Sequence, residues 1–312
     1  MSTIVRPDSL GGALAALAEG ARPRAGGVEQ AAPGAVVDLT GVADLRGIGP
    51  NADGTVRIGA MTTVAALAGL DSHPALALTA GALGTPQIRG TATVGGNLLQ
   101  RTRCAYLRSP VFSCARSGGM GCPSREGDHL HGVVFDSGVC AAPHPSSLAV
   151  ALLAHDARVE VVGPSGARTL PIADLYDAVD PVRDHRLSPD EILVAVTLPA
   201  GIPGDRVAHR RAAGRSRAEW PLVEAVVRLS PNPDGTVERA AVAVGAVARV
   251  PLRLPEVETA LVGAVPGAPP GPEVDAALAE VVARCSPLPG SRYKVELVRA
   301  TLTDVIGRAL SP

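Results

Sequence analysis

Residues 87–149 read QIRGTATVGGNLLQRTRCAYLRSPVFSCARSGGMGCPSREGDHLHGVVFDSGVCAAPHPSSLA. The stretch opens with the pair Gly95-Gly96 ahead of Asn97, and then spaces its cysteines as Cys104-x9-Cys114-x7-Cys122-x17-Cys140, leaving only Cys285 elsewhere in the chain. Paired glycines let the backbone approach a ligand closely, and four cysteines within one loop-like segment call for a chemical reason. Three chemistries compete. Disulfides belong to oxidising compartments, and the N-terminus MSTIVRPDSLGGALAALAEG shows neither a basic leader nor the long apolar run of an export signal. Zinc is usually gripped by short Cys-x2-4-Cys knuckles; none occurs here, although His129, His131 and His144 offer further ligands. A [4Fe–4S] cluster also takes four thiolates and accepts irregular spacing in loops. Gly118, Gly119, Gly121 and Gly127 make the intervening chain compliant enough to wrap such a core. Spacing by itself leaves these readings open. Cys285 lies in an apolar helical stretch and reads as an inert core thiol.

Outward from this segment, composition sets the frame. The chain has 312 residues, enough for two domains, and only 2% aromatic residues, so its core must be built from Val, Leu and Ala. A formal net charge of -1 gives no electrostatic basis for a nucleic-acid or anionic-membrane partner. No run of 18 apolar residues predicts a membrane span. The expected compartment is cytoplasmic, or periplasmic if a partner subunit carries the chain out with it.

Periodicity and turn chemistry predict a helix over 8–19 with Leu10, Leu14 and Leu17 on one face, ended by Gly20. A tight turn at Arg24-Ala25-Gly26-Gly27 follows, suited either to a plain loop or to binding an anion through backbone amides. Strands are predicted at 35–39 and 56–60, with a helix from Thr62 or Thr63 to Leu70 and another over 73–83. Gln87-Ile88-Arg89 and Thr91-Ala92-Thr93-Val94 read as strand interrupted at Gly90. Ser147–Leu153 is expected to be helical. Two strands around the turn Gly163-Pro164-Ser165-Gly166 come next, then a turn-rich segment over 177–189, a strand over 191–197 and a linker over 199–204. The last hundred residues predict a β-hairpin about Ser230-Pro231-Asn232-Pro233-Asp234-Gly235, flanked by apolar runs at 221–229 and 237–247. Helices are expected near 254–262, 272–285 and 291–310. No internal repeat, no catalytic cluster in this last part and no G-x-G-x-x-G fingerprint after a strand is present.

IGAMTTVAAL (58–67), QIRGTATVGGNLLQRTRC (87–104) and HPSSLAVALLAHDARVEV (144–161) resemble the FAD-binding subunit of the molybdenum hydroxylases, the xanthine dehydrogenase and aldehyde oxidoreductase family. The likeness is greatest to bacterial aldehyde-oxidoreductase-type subunits that carry an additional [4Fe–4S] cluster. GAVARVPLRLPEVETALVG (245–263) and SRYKVELVRATL (291–302) are similar to that family's C-terminal lobe. The resemblance implies an α+β fold with a two-lobed FAD-binding domain of the vanillyl-alcohol-oxidase (PCMH) type over 1–178, its iron–sulfur loop falling at about 100–142. A connecting segment would span 179–204 and a smaller, CO-dehydrogenase-flavoprotein-like α+β domain 205–312.

FAD would lie between the lobes. Gly26 and Gly27 would meet its pyrophosphate together with groups around Ala60 and Thr62, and Thr93, Gly95, Gly96, Asn97 and Leu98 would form the second wall. Ser147, Leu193 and Arg211 fall at further flavin-contacting positions, and Cys104, Cys114, Cys122 and Cys140 would ligate [4Fe–4S]. The implied role is electron transfer from molybdenum and [2Fe–2S] centres to an external acceptor, beside a molybdopterin-binding large subunit and a [2Fe–2S] small subunit, with the substrate chemistry on a partner chain. Three positions depart from the family pattern: Gly27 runs into Val28-Glu29-Gln30 with about eight residues missing before Asp38, Gly90 replaces an asparagine, and Ser147 replaces an aspartate. These departures support an alternative, a flavin-deficient iron–sulfur docking subunit. A zinc-stabilised protein outside redox chemistry is the third reading.

Overall fold

The computed structural model of the protein describes residues 3–29, 34–136, 138–178, 180, 182–216 and 218–311. Gln30 and residues 31–33 of the shortened loop, and residues 179 and 181 of the turn-rich segment, lie outside the described residues. The chain forms two compact units. One comprises Met1–Gln100, Asp156–Tyr176 and His185–Gly201; the other comprises Arg101–His155, Asp177–Asp184 and Ile202–Pro312.

The first unit holds two sheets. β1 (Ile4–Val5), β2 (Arg22–Arg24) and β3 (Val36–Asp38) form a small parallel sheet with β3 in the middle, packed by α1 (Leu10–Ala18). Ser9 caps α1 by accepting from the Gly12 amide, and Ala13, Ala16 and Leu17 bury its inner face. β4 (Ile48–Pro50) and β5 (Val56–Gly59) belong to the second sheet, and the short helices α2 (Val64–Leu67), α3 (Pro74–Gly81), α4 (Pro86–Thr91) and α5 (Val94–Leu98) follow them. β6 (Arg158–Gly163), β7 (Gly166–Pro171) and β8 (Ile192–Leu198) complete an antiparallel sheet of order β4-β5-β8-β6-β7. The hairpin predicted at 163–166 joins β6 to β7.

The strand expected at 87–94 is instead two helices. Thr85 accepts from the Ile88 amide with Pro86 at the first helical position, and Thr93 accepts from the Gly96 amide. Two N-caps therefore override the β-branched run. The helix predicted to reach Leu70 stops at Leu67.

In the second unit α6 (Ala105–Arg108) and α7 (Pro123–Glu126) sit in the cysteine loop, and α8 (Ser147–Ala154) follows it. The strands β9 (Arg206–Ala212), β10 (Val223–Pro231), β11 (Val237–Gly245) and β12 (Leu252–Arg253) form an antiparallel sheet of order β12-β11-β10-β9. The helices α9 (Pro255–Leu261), α10 (Pro272–Ala283) and α11 (Tyr293–Leu310) complete it. α11 packs on β9 and β10, while α8 packs on β10 and β11. Covered in this way on both faces, β10 is buried from Val223 to Ser230, which is why it reads as a nearly unbroken apolar run. Val223, Ala225 and Val227 meet a core that includes Val298, Leu302, Val305 and Ile306 of α11. Cys285, expected as a core thiol, is instead half-buried just beyond the end of α10, where it packs against the same core and burial pushes its thiol up. No helix among the described residues is long and apolar enough to cross a membrane.

One buried cation ties this unit together. Lys294 is 1% exposed, and its Nζ donates to the Gly132 carbonyl at 2.9 Å and to the Ala246 carbonyl at 2.7 Å. Ala246 has φ 61°, a left-handed conformation unusual for a residue with a side chain. Burial pushes the Lys294 ammonium down to about 7, and a neutral amine still carries enough N–H groups for both carbonyls. Lys294→Met is expected to lower stability by roughly 3 kcal/mol, since each buried acceptor left without a donor costs about 1–3 kcal/mol. A shift of the urea midpoint at unchanged slope would register it.

Candidate functional site

In the first unit the glycine motifs that are remote in sequence meet. The Ala25-Gly26-Gly27 turn leaves β2 and packs on the end of α4 so closely that a Cβ added to Gly26 would stand 1.8 Å from the Thr91 carbonyl oxygen. A Cβ on Gly96 would fall 2.9 Å from Thr93 Oγ1 and 3.4 Å from Ala25 Cβ. Ala60 and Thr62 extend β5 against the start of α5: Gly95 donates to the Ala60 carbonyl at 2.8 Å and Val94 to the Thr62 carbonyl at 3.0 Å. The Thr62 hydroxyl is itself spent on the Gly47 carbonyl at 3.0 Å. Gly26, Gly27, Ala60, Thr62, Thr93, Gly95 and Gly96 thus form one cradle, exposed at Gly27 and Gly96.

Among the described residues the Gly26 and Gly27 amides donate to nothing, which leaves two N–H groups for an anion. Gly27 has φ 74°, and Arg24 lies beside it, its Nη2 2.9 Å from where a Cβ would stand. The Arg24 guanidinium also reaches the buried Asp38 carboxylate at 3.8 Å. Burial alone would push the Asp38 carboxyl up, but hydrogen bonds from Thr40 and the charges of Arg24 and Arg6 hold it below its ordinary value. Arg24 escaped the sequence reading; a cation directly before a double-glycine turn was the available signal. Asn97 and Leu98 line the inner side of α5, where the Leu98 carbonyl accepts from the Tyr176 hydroxyl at 3.2 Å and the Asn97 carbonyl from Gln100. Leu193 is 3% exposed and stands at an irregularity of β8, where pairing with β6 slips between Glu160 and Val161. Such bulges re-aim backbone groups, and here the Val194 carbonyl turns to accept from the Ala60 amide at 2.9 Å.

The second unit brings the four clustered cysteines together. Cys104, Cys114, Cys122 and Cys140 all line one cavity, with Tyr106, Leu107, Arg116, Pro123 and Val139 among its other walls. Local geometry explains the convergence. Cys104 precedes α6 and Cys122 precedes α7, while the Ala115 amide donates to the Gly121 carbonyl and the Gly119 amide to the Cys114 carbonyl, folding 114–121 into a tight loop. Gly118 and Gly121 adopt φ 91° and 70° within it. The Ser117 hydroxyl lies 3.7 Å from Cys114 Sγ. The hydrogen bond from Cys140 pulls the Cys122 thiol down to about 5, helped by the amides of Ala141, Ser124 and Arg125, and the same contact pushes Cys140 up.

His129, His131 and His144 are not among the cavity walls. His129 spends Nδ1 on the Gly127 and Ser124 carbonyls, and burial pushes His144 down to about 3. No group of three His, Cys, Asp or Glu among the described residues converges as one metal ion requires.

Ser147 and Arg211 also fall in the second unit, where both approach Glu224 of β10. Glu224 is 1% exposed and accepts from His209 Nε2 at 2.8 Å, with Arg211 Nε at 3.4 Å. Ser147, the first residue of α8 and 2% exposed, lies beside the same carboxylate, short of full hydrogen-bond geometry. Glu224 escaped the sequence reading too. Its signal was a lone acid inside the apolar run 221–229, since a buried carboxylate needs partners.

Comparison with known proteins finds matches along nearly the whole chain. Residues 1–201 match the family model described as the FAD binding domain in molybdopterin dehydrogenase, and residues 208–309 match the CO dehydrogenase flavoprotein C-terminal domain. The chain is 35% identical over 238 residues to the aldehyde oxidoreductase FAD-binding subunit PaoB of Escherichia coli K12, covering 75% of this chain and 70% of that one. It is 25% identical over 283 residues to the xanthine dehydrogenase FAD-binding subunit of Escherichia coli O157:H7, covering 88% and 81%. Among solved structures, a chain of reconstituted CO dehydrogenase from Oligotropha carboxidovorans superposes with a TM-score of 0.74 at 25% identity, covering 99% of this chain and 98% of that one.

Proposed function

The chain belongs to the family of FAD-binding domains of molybdopterin dehydrogenases, and from that premise we propose that it is the electron-transfer flavoprotein subunit of a molybdenum hydroxylase complex. Its partners are a molybdopterin-binding large subunit and a [2Fe–2S] small subunit, and substrate is oxidised on the large subunit. The observation that carries this reading is the meeting of the Gly26-Gly27 turn, with its unspent amides, and the Thr93–Gly96 and Ala60 segment, with open backbone at Gly27 and Gly96. These residues fit a dinucleotide: Gly26 and Gly27 would hold the pyrophosphate, with Arg24 adding positive charge that the shortened loop would otherwise not provide. Thr93, Gly95, Gly96, Asn97 and Leu98 would form the opposite wall, and Leu193, Ser147 and Arg211 are assigned as supporting positions. FAD, when bound, supplies a carrier that accepts two electrons together and releases them singly.

The four-cysteine cavity supports a second cofactor in the same chain. Cys104, Cys114, Cys122 and Cys140 would ligate a [4Fe–4S] cluster, whose chemistry is one-electron transfer at a potential set by its surroundings. Chemical analysis of the purified complex tests both assignments. The expected result is one FAD per chain and about four irons with four acid-labile sulfides beyond those of the [2Fe–2S] subunit. A complex without extractable flavin would reduce the chain to a docking subunit, and zinc in place of iron would remove the cluster.

A further inference from the structure

We propose that Arg249, together with Arg116, is a positioning residue that places buried positive charge beside the four-cysteine cavity and thereby raises the reduction potential of the cluster held there. The inference rests on the cluster assignment above and concerns what surrounds the thiolates. Arg249 follows β11 in a turn that is stitched to the cysteine loop on both sides of Cys140. The Val247 carbonyl accepts from the Val134 and Phe135 amides at 2.8 and 3.0 Å, and the Ala248 carbonyl accepts from the His144 amide at 2.8 Å. The turn thus delivers its next side chain to the loop carrying Cys140.

Arg249 is 9% exposed. Its Nη2 donates to the Asp180 carbonyl at 2.5 Å, whereas Nε and Nη1 find no acceptor among the described residues. Burying guanidinium donors without partners is costly, so their retention points to an acceptor that belongs to the assembled site. Cluster sulfurs and thiolates are acceptors of that kind. Arg116 lines the cavity itself, and its side chain is 6% exposed. It pairs with Asp184, which also meets Arg101 at 3.6 Å and accepts from the Thr102 amide. The carboxylates near this cluster of charges are therefore Asp184, Asp180 and Asp177, and Cys140 is the thiol that acts on Arg249. Burial pushes the Arg249 guanidinium down from its ordinary value, and Cys140 acts in the opposite sense.

Four thiolates give the cluster a net negative charge, and one-electron reduction adds to it. A fixed cation in a low-dielectric wall stabilises the reduced form more than the oxidised one. Removing it makes reduction harder. The test is an EPR-monitored redox titration of the assembled complex, with iron and acid-labile sulfide measured on the same samples. Arg249→Gln is expected to keep the metal content and disfavour reduction by about tenfold, which is about 59 mV for a one-electron couple. Arg249→Lys, which preserves the charge, is expected to stay near the wild-type potential. A purely structural arginine would leave the potential of any cluster that forms unchanged, so an intact cluster at the wild-type potential in Arg249→Gln overturns the proposal. An equal shift in Arg249→Lys overturns it as well. Where Arg249→Gln fails to hold a cluster, Arg249→Lys decides: a cluster at the wild-type potential supports the role of charge, and its loss there too refutes it. A wild-type complex lacking this iron refutes the cluster assignment itself, and the inference falls with it.

Discussion

Replacing Gly26 by alanine is expected to weaken flavin binding about ten- to a hundredfold while leaving the C-terminal sheet folded. The new methyl group would sit 1.8 Å from the Thr91 carbonyl oxygen and 2.8 Å from its carbon. Both are backbone atoms held by α4, whose closing Ala92 amide donates to the Ile88 carbonyl at 2.7 Å, so no side-chain rotation relieves the clash. The Ala25-Gly26-Gly27 turn must instead move off Thr91, carrying its unspent amides away from the Thr93–Gly96 wall. Overpacking of this kind costs about 1–3 kcal/mol, and at 1.4 kcal/mol per decade that is about one to two orders of magnitude in affinity. FAD retained per chain after gel filtration, and its dissociation constant by fluorescence, would report the loss. Gly90→Ala is the control: it lies in α4, a Cβ there meets nothing within 4 Å, and an alanine in a helix is worth about 0.5–1 kcal/mol over glycine. Flavin retained at wild-type affinity by Gly26→Ala would show that the turn does not hold the pyrophosphate.

The contrast between these two glycines also marks what could be read from the chain alone. Turn chemistry at 163–166 and 230–235 and the 3.6-residue pattern of 272–285 and 291–310 are local, and the hairpins and helices they predict are present. The family resemblance sets Gly26 and Gly27 opposite Thr93–Leu98 as an expectation, while the four cysteines are grouped by their spacing, which by itself leaves three chemistries open. At 87–94 the sequence misleads: Thr91 and Thr93 look like strand residues, but their neighbours include Thr85-Pro86, and capping by Thr85 and Thr93 decides for helix. What stayed hidden depends on contacts between distant segments. Arg249 is 109 positions beyond Cys140, and nothing near it in sequence announces that Val247 and Ala248 pair with 134–144. Glu224 is separated from Ser147 by 77 residues and acquires its meaning only when β10 is laid against α8.

Glu224 carries the other large effect. Glu224→Ala is expected to destabilise the protein by about 3–5 kcal/mol, the range for breaking a buried pair by removing one partner. The alanine would leave the Arg211 side chain, 8% exposed, without its carboxylate and His209 Nε2 without its acceptor. Burial alone would push the Glu224 carboxyl up, but the hydrogen bond from His209 and the charges of His209 and Arg211 hold it below its ordinary value. The sign of the pH dependence follows. A carboxyl depressed in the folded state binds its proton more weakly than in the unfolded chain, so its contribution is complete above the unfolded value of 4.5 and is lost as pH falls through the folded one. Urea unfolding across the acid range should therefore show a wild-type decline below pH 4.5 that is shallower in Glu224→Gln, which cannot titrate. If Glu224→Ala unfolds within about 1 kcal/mol of wild type, the cost of an ordinary substitution, the buried pair has no structural weight. The carboxylate of Glu224 stands beside the Ser147 hydroxyl and pairs with Arg211 of β9. Glu224→Gln separates shape from charge: it keeps the shape, removes the charge, and is expected to loosen Arg211 more than it unfolds the sheet.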